Sequence, residues 1–110
     1  MDDRVNVGGA HVDAGDVARA VADVPQLSPV FQLRVAKGER LTVAAELKSR
    51  TAADGAAARL SAALLRRSEE LSDSVRRGWL KAPAVELLPP GGIPRVPRTG
   101  KVRRVVDSRL

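Results

Sequence analysis

The spacing of apolar positions changes several times along the chain, and each change marks a candidate element. Val5-Asn6-Val7 alternates, halts at Gly8-Gly9, and resumes in Ala10-His11-Val12, which predicts two short strands around a glycine turn. Asp13 stands where a helix N-cap belongs, ahead of Val17, Ala20, Val21 and Val24 at helical spacing, and Pro25 closes the segment. A helix is expected from about residue 14 to 23. Pro29 to Val35 and Leu41 to Leu47 are β-rich runs on either side of a Lys37-Gly38-Glu39 turn, which predicts an antiparallel hairpin.

From Ala52 to about Arg77 the apolar residues Ala57, Leu60, Leu64, Leu71, Val75 and Trp79 share one helical stripe, with Ser68 as the point where the helix would break. Pro83 ends this region, and Ala84-Val85-Glu86-Leu87-Leu88 makes a third main strand before the breakers Pro89-Pro90-Gly91-Gly92. The rest, Ile93 to Leu110, reads as a basic surface loop that ends in a short docking element at Val105-Val106. The expected fold is a small α+β two-layer domain spanning residues 1–110. It has an antiparallel sheet of about three main strands, two or three helices, and a short N-terminal two-stranded element.

Composition narrows the chemistry. Phe31 and Trp79 are the two aromatic residues, so the core must be built from Val, Leu and Ala, and a deep self-contained pocket is not expected. Cysteine is absent, which excludes thiolate catalysis, disulfides and Cys-based metal sites. Lys and Arg outnumber Asp and Glu by 19 to 13, a net charge of +6 that favours anionic partners. Nucleic acid ranks last among these, because stacking platforms need aromatics. The acidic opening has no apolar core of a secretory signal, and no apolar run has membrane-spanning length, so a soluble cytoplasmic protein is expected.

The candidate chemistry lies in Gly91-Gly92-Ile93-Pro94-Arg95-Val96-Pro97-Arg98-Thr99-Gly100-Lys101-Val102-Arg103-Arg104, where a glycine presents a lysine inside a proline-stiffened basic loop. It is not a phosphate-binding Walker loop, which would need glycine at position 95 and Ser or Thr at 102. Taken alone, the segment reads as a solvated basic tail.

Its order, a strand and a Pro-Gly turn leading to Pro-Arg and then Gly100-Lys101, resembles the final signature of adenylate-forming enzymes. Leu27-Ser28-Pro29-Val30-Phe31-Gln32-Leu33 and Arg104-Val105-Val106-Asp107-Ser108-Arg109 resemble the phenylacetate-CoA ligase branch. The N-terminal Asp2-Asp3-Arg4-Val5-Asn6-Val7-Gly8-Gly9 is similar to the stretch that joins the two domains of these enzymes. The resemblance covers nearly the whole chain in one order.

The resemblance implies the mobile C-terminal domain of an acyl- or aryl-acid CoA ligase. In it Lys101 contacts the substrate carboxylate and the α-phosphate, and Asp2 or Asp3 is the hinge about which the domain swings between two poses. Gly8 and Gly9 line the pantetheine tunnel, while Gly100, Arg95, Arg98 and Arg103 support the loop or contact phosphate. No metal ligand is assigned. ATP with Mg²⁺ and CoA belong to the complete enzyme; none is expected to bind stably to this chain alone, which lacks the ATP-binding domain and should be inactive by itself. The implied partners are a large N-terminal adenylation domain, in cis or in trans, a carboxylic acid, and CoA or a carrier protein. His11 stands where many relatives carry arginine, and reads as a surface residue.

The spacing from Pro94-Arg95 to Lys101 is one longer than the branch pattern, and from Pro97-Arg98 one shorter. This motivates an alternative, a stand-alone, catalytically incomplete domain that binds or regulates a partner. On either reading, Gly8, Gly9 and Lys101 are expected to share one accessible side of the fold.

Overall fold

The computed structural model describes residues 4–50 and 53–109. The elements follow in the order β1 (Arg4–Val7), β2 (Ala10–Asp13), α1 (Ala14–Ala22), β3 (Leu27–Ala36), β4 (Arg40–Leu47), α2 (Ala56–Arg67), α3 (Glu69–Arg76), β5 (Ala84–Leu88) and β6 (Val105–Asp107). β1 and β2 form a separate antiparallel hairpin, and the main sheet has the strand order β5-β4-β3-β6. The α+β architecture is as expected. Among the described residues no helix is long and apolar enough to cross a membrane.

The sheet departs from expectation in being mixed and four-stranded. β3 and β4 are antiparallel, whereas β5 runs parallel to β4 and β6 parallel to β3. An antiparallel pair closes through a short turn, but a parallel pair needs a crossover of a dozen or more residues. The segment between β4 and β5 is such a crossover. Its two helices carry the chain back to the end of the sheet where β4 begins, so β5 enters alongside Thr42.

One apolar core joins both sheets to the helices. Val5, Val7, Ala10 and Val12 from the hairpin, Val17, Ala20 and Val21 from α1, Leu33, Val35, Val43 and Ala45 from the main sheet, and Leu60, Leu64 and Leu71 from α2 and α3 are all buried within it. The alternation in β3 and β4 explains the layering. Leu41, Val43, Ala45 and Leu47 face this core, while Thr42, Ala44 and Glu46 point to the other side of the sheet. That second side is covered by the segment after β5, where Ile93 is fully buried.

Helix boundaries follow local chemistry. Asp13 caps α1, its carboxylate accepting from the Gly15 amide at 2.7 Å. The long helix expected from residue 52 is two helices, broken at Ser68, which leaves the helical region and caps α3 by accepting from the Leu71 amide. Gly78, at φ 79°, ends α3; its amide reaches the Val75 carbonyl and that of Trp79 the Ser74 carbonyl, the paired bonds of a glycine-terminated helix. Trp79 therefore lies beyond the helix. Its place on the buried stripe is corrected: the indole is 60% exposed, because the glycine turns the chain before the stripe repeats.

Ser68→Ala is expected to lower the unfolding free energy by about 1 kcal/mol in urea denaturation, through loss of the α3 cap. An unchanged midpoint would mean that packing alone sets the break between α2 and α3.

Candidate functional site

The basic segment folds as a small hairpin. Arg95 and Val102 bridge in antiparallel fashion, the Val96 amide donates to the Lys101 carbonyl at 2.7 Å, and the Gly100 amide donates to the Val96 carbonyl at 2.8 Å. Gly100 takes φ 69°, a left-handed conformation that a side chain would resist, and this reverses the chain immediately before Lys101. The Lys101 amide is steadied by the Thr99 hydroxyl at 3.3 Å. The longer spacing from Pro94-Arg95 is thus absorbed in a closed turn, with Lys101 at its exit.

What holds the hairpin is Glu46, which sequence reasoning did not single out. Its side chain is 4% exposed, on the β4 face away from the main core. Its carboxylate accepts from the Gly91 amide and the Ile93 amide, each at 3.0 Å, and pairs with both terminal nitrogens of Arg95, the Nη2 contact at 3.3 Å. Arg95 also donates to the Ile93 carbonyl at 2.5 Å. The Arg95 hydrogen bond, followed by the two backbone amides, holds the Glu46 carboxyl below its ordinary pKa against the opposing effect of burial. A signal was present, since Glu46 is a carboxylate inside an otherwise apolar strand, where a buried charge demands a partner.

A second set of contacts fixes the far strand of the hairpin. Gln32, buried on β3, donates to the Arg103 carbonyl at 3.0 Å, and its amide oxygen accepts from Arg34, which in turn pairs with Glu86 at 2.9 Å. The Leu33 amide donates to the Arg104 carbonyl at 2.7 Å. Between Leu27 and Phe31 the β3–β4 register shifts: Ser28, Pro29 and Val30 stand opposite Glu46 alone. Proline cannot donate to the ladder, so the pairing bulges there. Pro29 from this bulge and Phe31 just after it, with Arg95, Lys101, Val102 and Arg104, line a hollow of about 380 Å³.

The site residues expected from sequence fall into three groups. Lys101, Arg98 and Arg103 are on the hairpin, and their side chains have no hydrogen-bond or ion-pair partner among the described residues; Lys101 and Arg103 are exposed. Arg95 is on the same hairpin, but its guanidinium is engaged with Glu46. Gly8 and Gly9 form the β1–β2 turn with φ 54° and 79° and lie against Trp79 and Leu80. Asp2 and Asp3 lie outside the described residues.

The glycine turn and Lys101 are not brought together. The Asn6 carbonyl, beside the glycines, accepts from Arg109, which also pairs with Glu39 in the β3–β4 turn, at the end of β3. Lys101 lines a hollow with Pro29 and Phe31, in the first half of β3. The two features have different neighbours, Trp79 and Leu80 for the glycines and Pro29 and Phe31 for Lys101, and no hydrogen bond joins them among the described residues. His11 is an exposed residue whose Nδ1 lies 3.3 Å from a Glu70 oxygen. Among the described residues no group of three or more His, Asp or Glu side chains is arranged to hold a metal ion.

In sequence, neither a protein-family model nor a curated protein matches the chain. In structure, it is similar to 2-hydroxyisobutyryl-CoA ligase in an open conformation in complex with 2-HIB-AMP and CoA, with a TM-score of 0.70 and 17% identity over 97% of this chain and 22% of that protein. The same ligase in its thioesterification state gives a TM-score of 0.69. A domain of phenylacetate-coenzyme A ligase from Bacteroides vulgatus ATCC 8482 gives 0.59 at 20% identity, over 99% of this chain and 97% of that domain. The chain thus spans about a fifth of the length of the first ligase, and it has the fold of these ligase portions.

Two outcomes follow from the geometry. Because the Glu46 pKa is lowered in the fold, its contribution to stability is present at neutral pH and is lost as pH falls through that lowered value. Glu46→Gln should be about 2–3 kcal/mol less stable at pH 7, with the gap narrowing in urea titrations carried towards pH 2. A gap that stayed constant with pH would mean that the carboxylate charge does not hold the hairpin. Gly8→Ala should cost about 1–3 kcal/mol by thermal or chemical melting, since its Cβ would stand 2.8 Å from the Leu80 Cβ at a positive φ.

Proposed function

We propose that this chain is the C-terminal lid domain of an ATP-dependent carboxylic acid CoA ligase of the phenylacetate-CoA ligase type, with Lys101 as its catalytic contribution. One observation carries the reading: in a domain with the fold found in such ligases, Lys101 stands exposed, without a side-chain partner among the described residues, at the exit of a hairpin that a buried carboxylate locks to the sheet. A lysine that served only solubility would need no such support.

The reaction explains why a cation is wanted there. The substrate carboxylate attacks the α-phosphorus of ATP, a bond to the acyl oxygen forms, and pyrophosphate leaves. Both reactants are anionic, and an ammonium between carboxylate and α-phosphate offsets their repulsion and the charge that develops in the transition state. Lys101 provides that point charge, while Arg95 supports the loop through Glu46 and leaves Arg98 and Arg103 for phosphate contact. Adenine, Mg²⁺ and the acid itself belong to the large domain, in cis or in trans.

In the second half-reaction a thiol displaces AMP from the acyl adenylate. The Gly8-Gly9 turn would line the passage of its pantetheine arm, a role suited to backbone without side chains. Asp2 or Asp3 would be the hinge between the two poses. The glycines and Lys101 have different neighbours, Trp79 and Leu80 against Pro29 and Phe31, which supports a domain that turns to present one feature at a time.

The test is pyrophosphate exchange by the chain assembled with its adenylating domain. Lys101→Ala is expected to lower exchange by about 10²–10³-fold, the range for loss of one charge-stabilising group, with an unaltered melting curve because the side chain is exposed. Undiminished exchange would overturn the assignment.

A further inference from the structure

The hollow beside Lys101 has a second cation that none of the roles above employs. Arg104 closes one wall, its guanidinium carbon 4.5 Å from the centroid of the Phe31 ring. Its main chain is tied down as well, since its carbonyl accepts from the Leu33 amide at 2.7 Å at the point where β6 begins to pair with β3. Arg104 is nonetheless exposed and has no ion-pair partner among the described residues. Each other cation in this part of the molecule that is equally well fixed, such as Arg34 or Arg95, is neutralised by a carboxylate.

We infer that Arg104 is a second anion-contact residue of this hollow, and that Lys101 and Arg104 together hold a phosphoryl group against the apolar wall of Pro29, Phe31 and Val102. Three observations converge on this. No carboxylate is among the lining residues, and the one charge that Arg95 brings is already met by Glu46 on the other side of the hairpin. Stacking on Phe31 pre-orients a planar fork, so little side-chain freedom remains to be lost when an anion arrives. The two cations are also complementary in kind. Lys101 is a mobile point charge at a turn, whereas Arg104 is a fixed bidentate donor on the sheet edge, and tetrahedral phosphoryl oxygens can use both.

The identity of the anion rests on the ligase reading, in which an α-phosphate passes this face, but the binding itself is testable without it. The 110-residue chain would be titrated with inorganic pyrophosphate while backbone amide resonances are followed. Saturable shifts are expected at Leu33, Lys101, Val102 and Arg104. Arg104→Ala should weaken the apparent affinity about tenfold, the loss of a charge-assisted contact, and Arg104→Lys should fall between. Arg59→Ala, which removes the same charge from the exposed face of α2, should change affinity less than about twofold, the effect of a distant screened charge. Arg104→Gln, which keeps a planar group over the ring, serves in place of the alanine variant if that one fails to fold. Equal losses for Arg59→Ala and Arg104→Ala would reduce the effect to net charge and overturn the inference, as would the absence of saturable shifts at those four amides. The ligase reading fails separately, through undiminished pyrophosphate exchange by Lys101→Ala in the assembled enzyme.

Discussion

A single buried carboxylate governs the face of this domain that carries the basic hairpin. Glu46 sits on a strand whose inner side chains are committed to the core, and it points the other way, into a layer with few apolar residues to hold it. Two backbone amides and one guanidinium close around it, and each comes from the segment that follows β5. The start of that segment, Pro89 to Pro94, is rich in proline and glycine and forms neither helix nor strand. Its attachment to the sheet at this end is therefore electrostatic and directional, with Ile93 adding one buried apolar side chain. The isolated burial of Glu46 would be costly; with three donors it becomes a fastening of defined geometry.

The bulge at Ser28, Pro29 and Val30 completes the arrangement from the opposite strand. Because three residues of β3 stand against Glu46 alone, the sheet is locally uneven at the level where the hairpin lands. The bulge furnishes the apolar floor of the hollow beside Lys101, and the regular pairing that resumes at Phe31 fixes Arg104 through Leu33 and β6. At the far end of β3, Arg109 gathers Asp107, Glu39 and the Asn6 carbonyl, binding the small hairpin to the main sheet. The closing Arg104-to-Arg109 segment thus has two duties: one arginine faces the hollow and the other ties the two sheets together.

Local signals were readable from the residues and distant ones were not. The glycine turn, the Asp13 cap, the Ser68 break and the β3–β4 hairpin each depend on a few neighbouring residues, and each was found where the pattern put it. The parallel pairing of β5 and β6 depends on where a long crossover and a proline-rich loop return the chain, which no local period encodes. Trp79 was misplaced for a related reason, since extending a helical stripe ignores a glycine that ends the helix one residue earlier. At the candidate site, Lys101 was visible as a motif, but its support was not. Glu46 and Arg95 are 49 positions apart, and the stacking of Arg104 on Phe31 spans two strands that only the finished sheet brings together.

The same distinction explains what the net charge of the chain means. A surplus of basic residues suggests a diffusely attractive surface, but many of the arginines are met by carboxylates, mostly in exposed pairs. Arg4, Arg19, Arg34, Arg66, Arg67, Arg76, Arg77, Arg95 and Arg109 all pair with carboxylates, several of them bridging elements, as Arg66 and Arg67 do when they meet Asp23 at the end of α1. Along the hairpin the balance differs. Arg98, Lys101, Arg103 and Arg104 follow one another without an acidic residue among them, and Glu46, which fastens the same segment, is already engaged by Arg95 and two amides. Lys37, Arg40, Lys48, Arg59 and Lys81 also lack an ion-pair partner among the described residues, so what distinguishes the hairpin is four such cations within seven positions on a segment fastened to the sheet. A segment of that kind suits one small, highly charged group held at a definite place better than a long polyanion, whose spaced phosphates need cations spread along a groove.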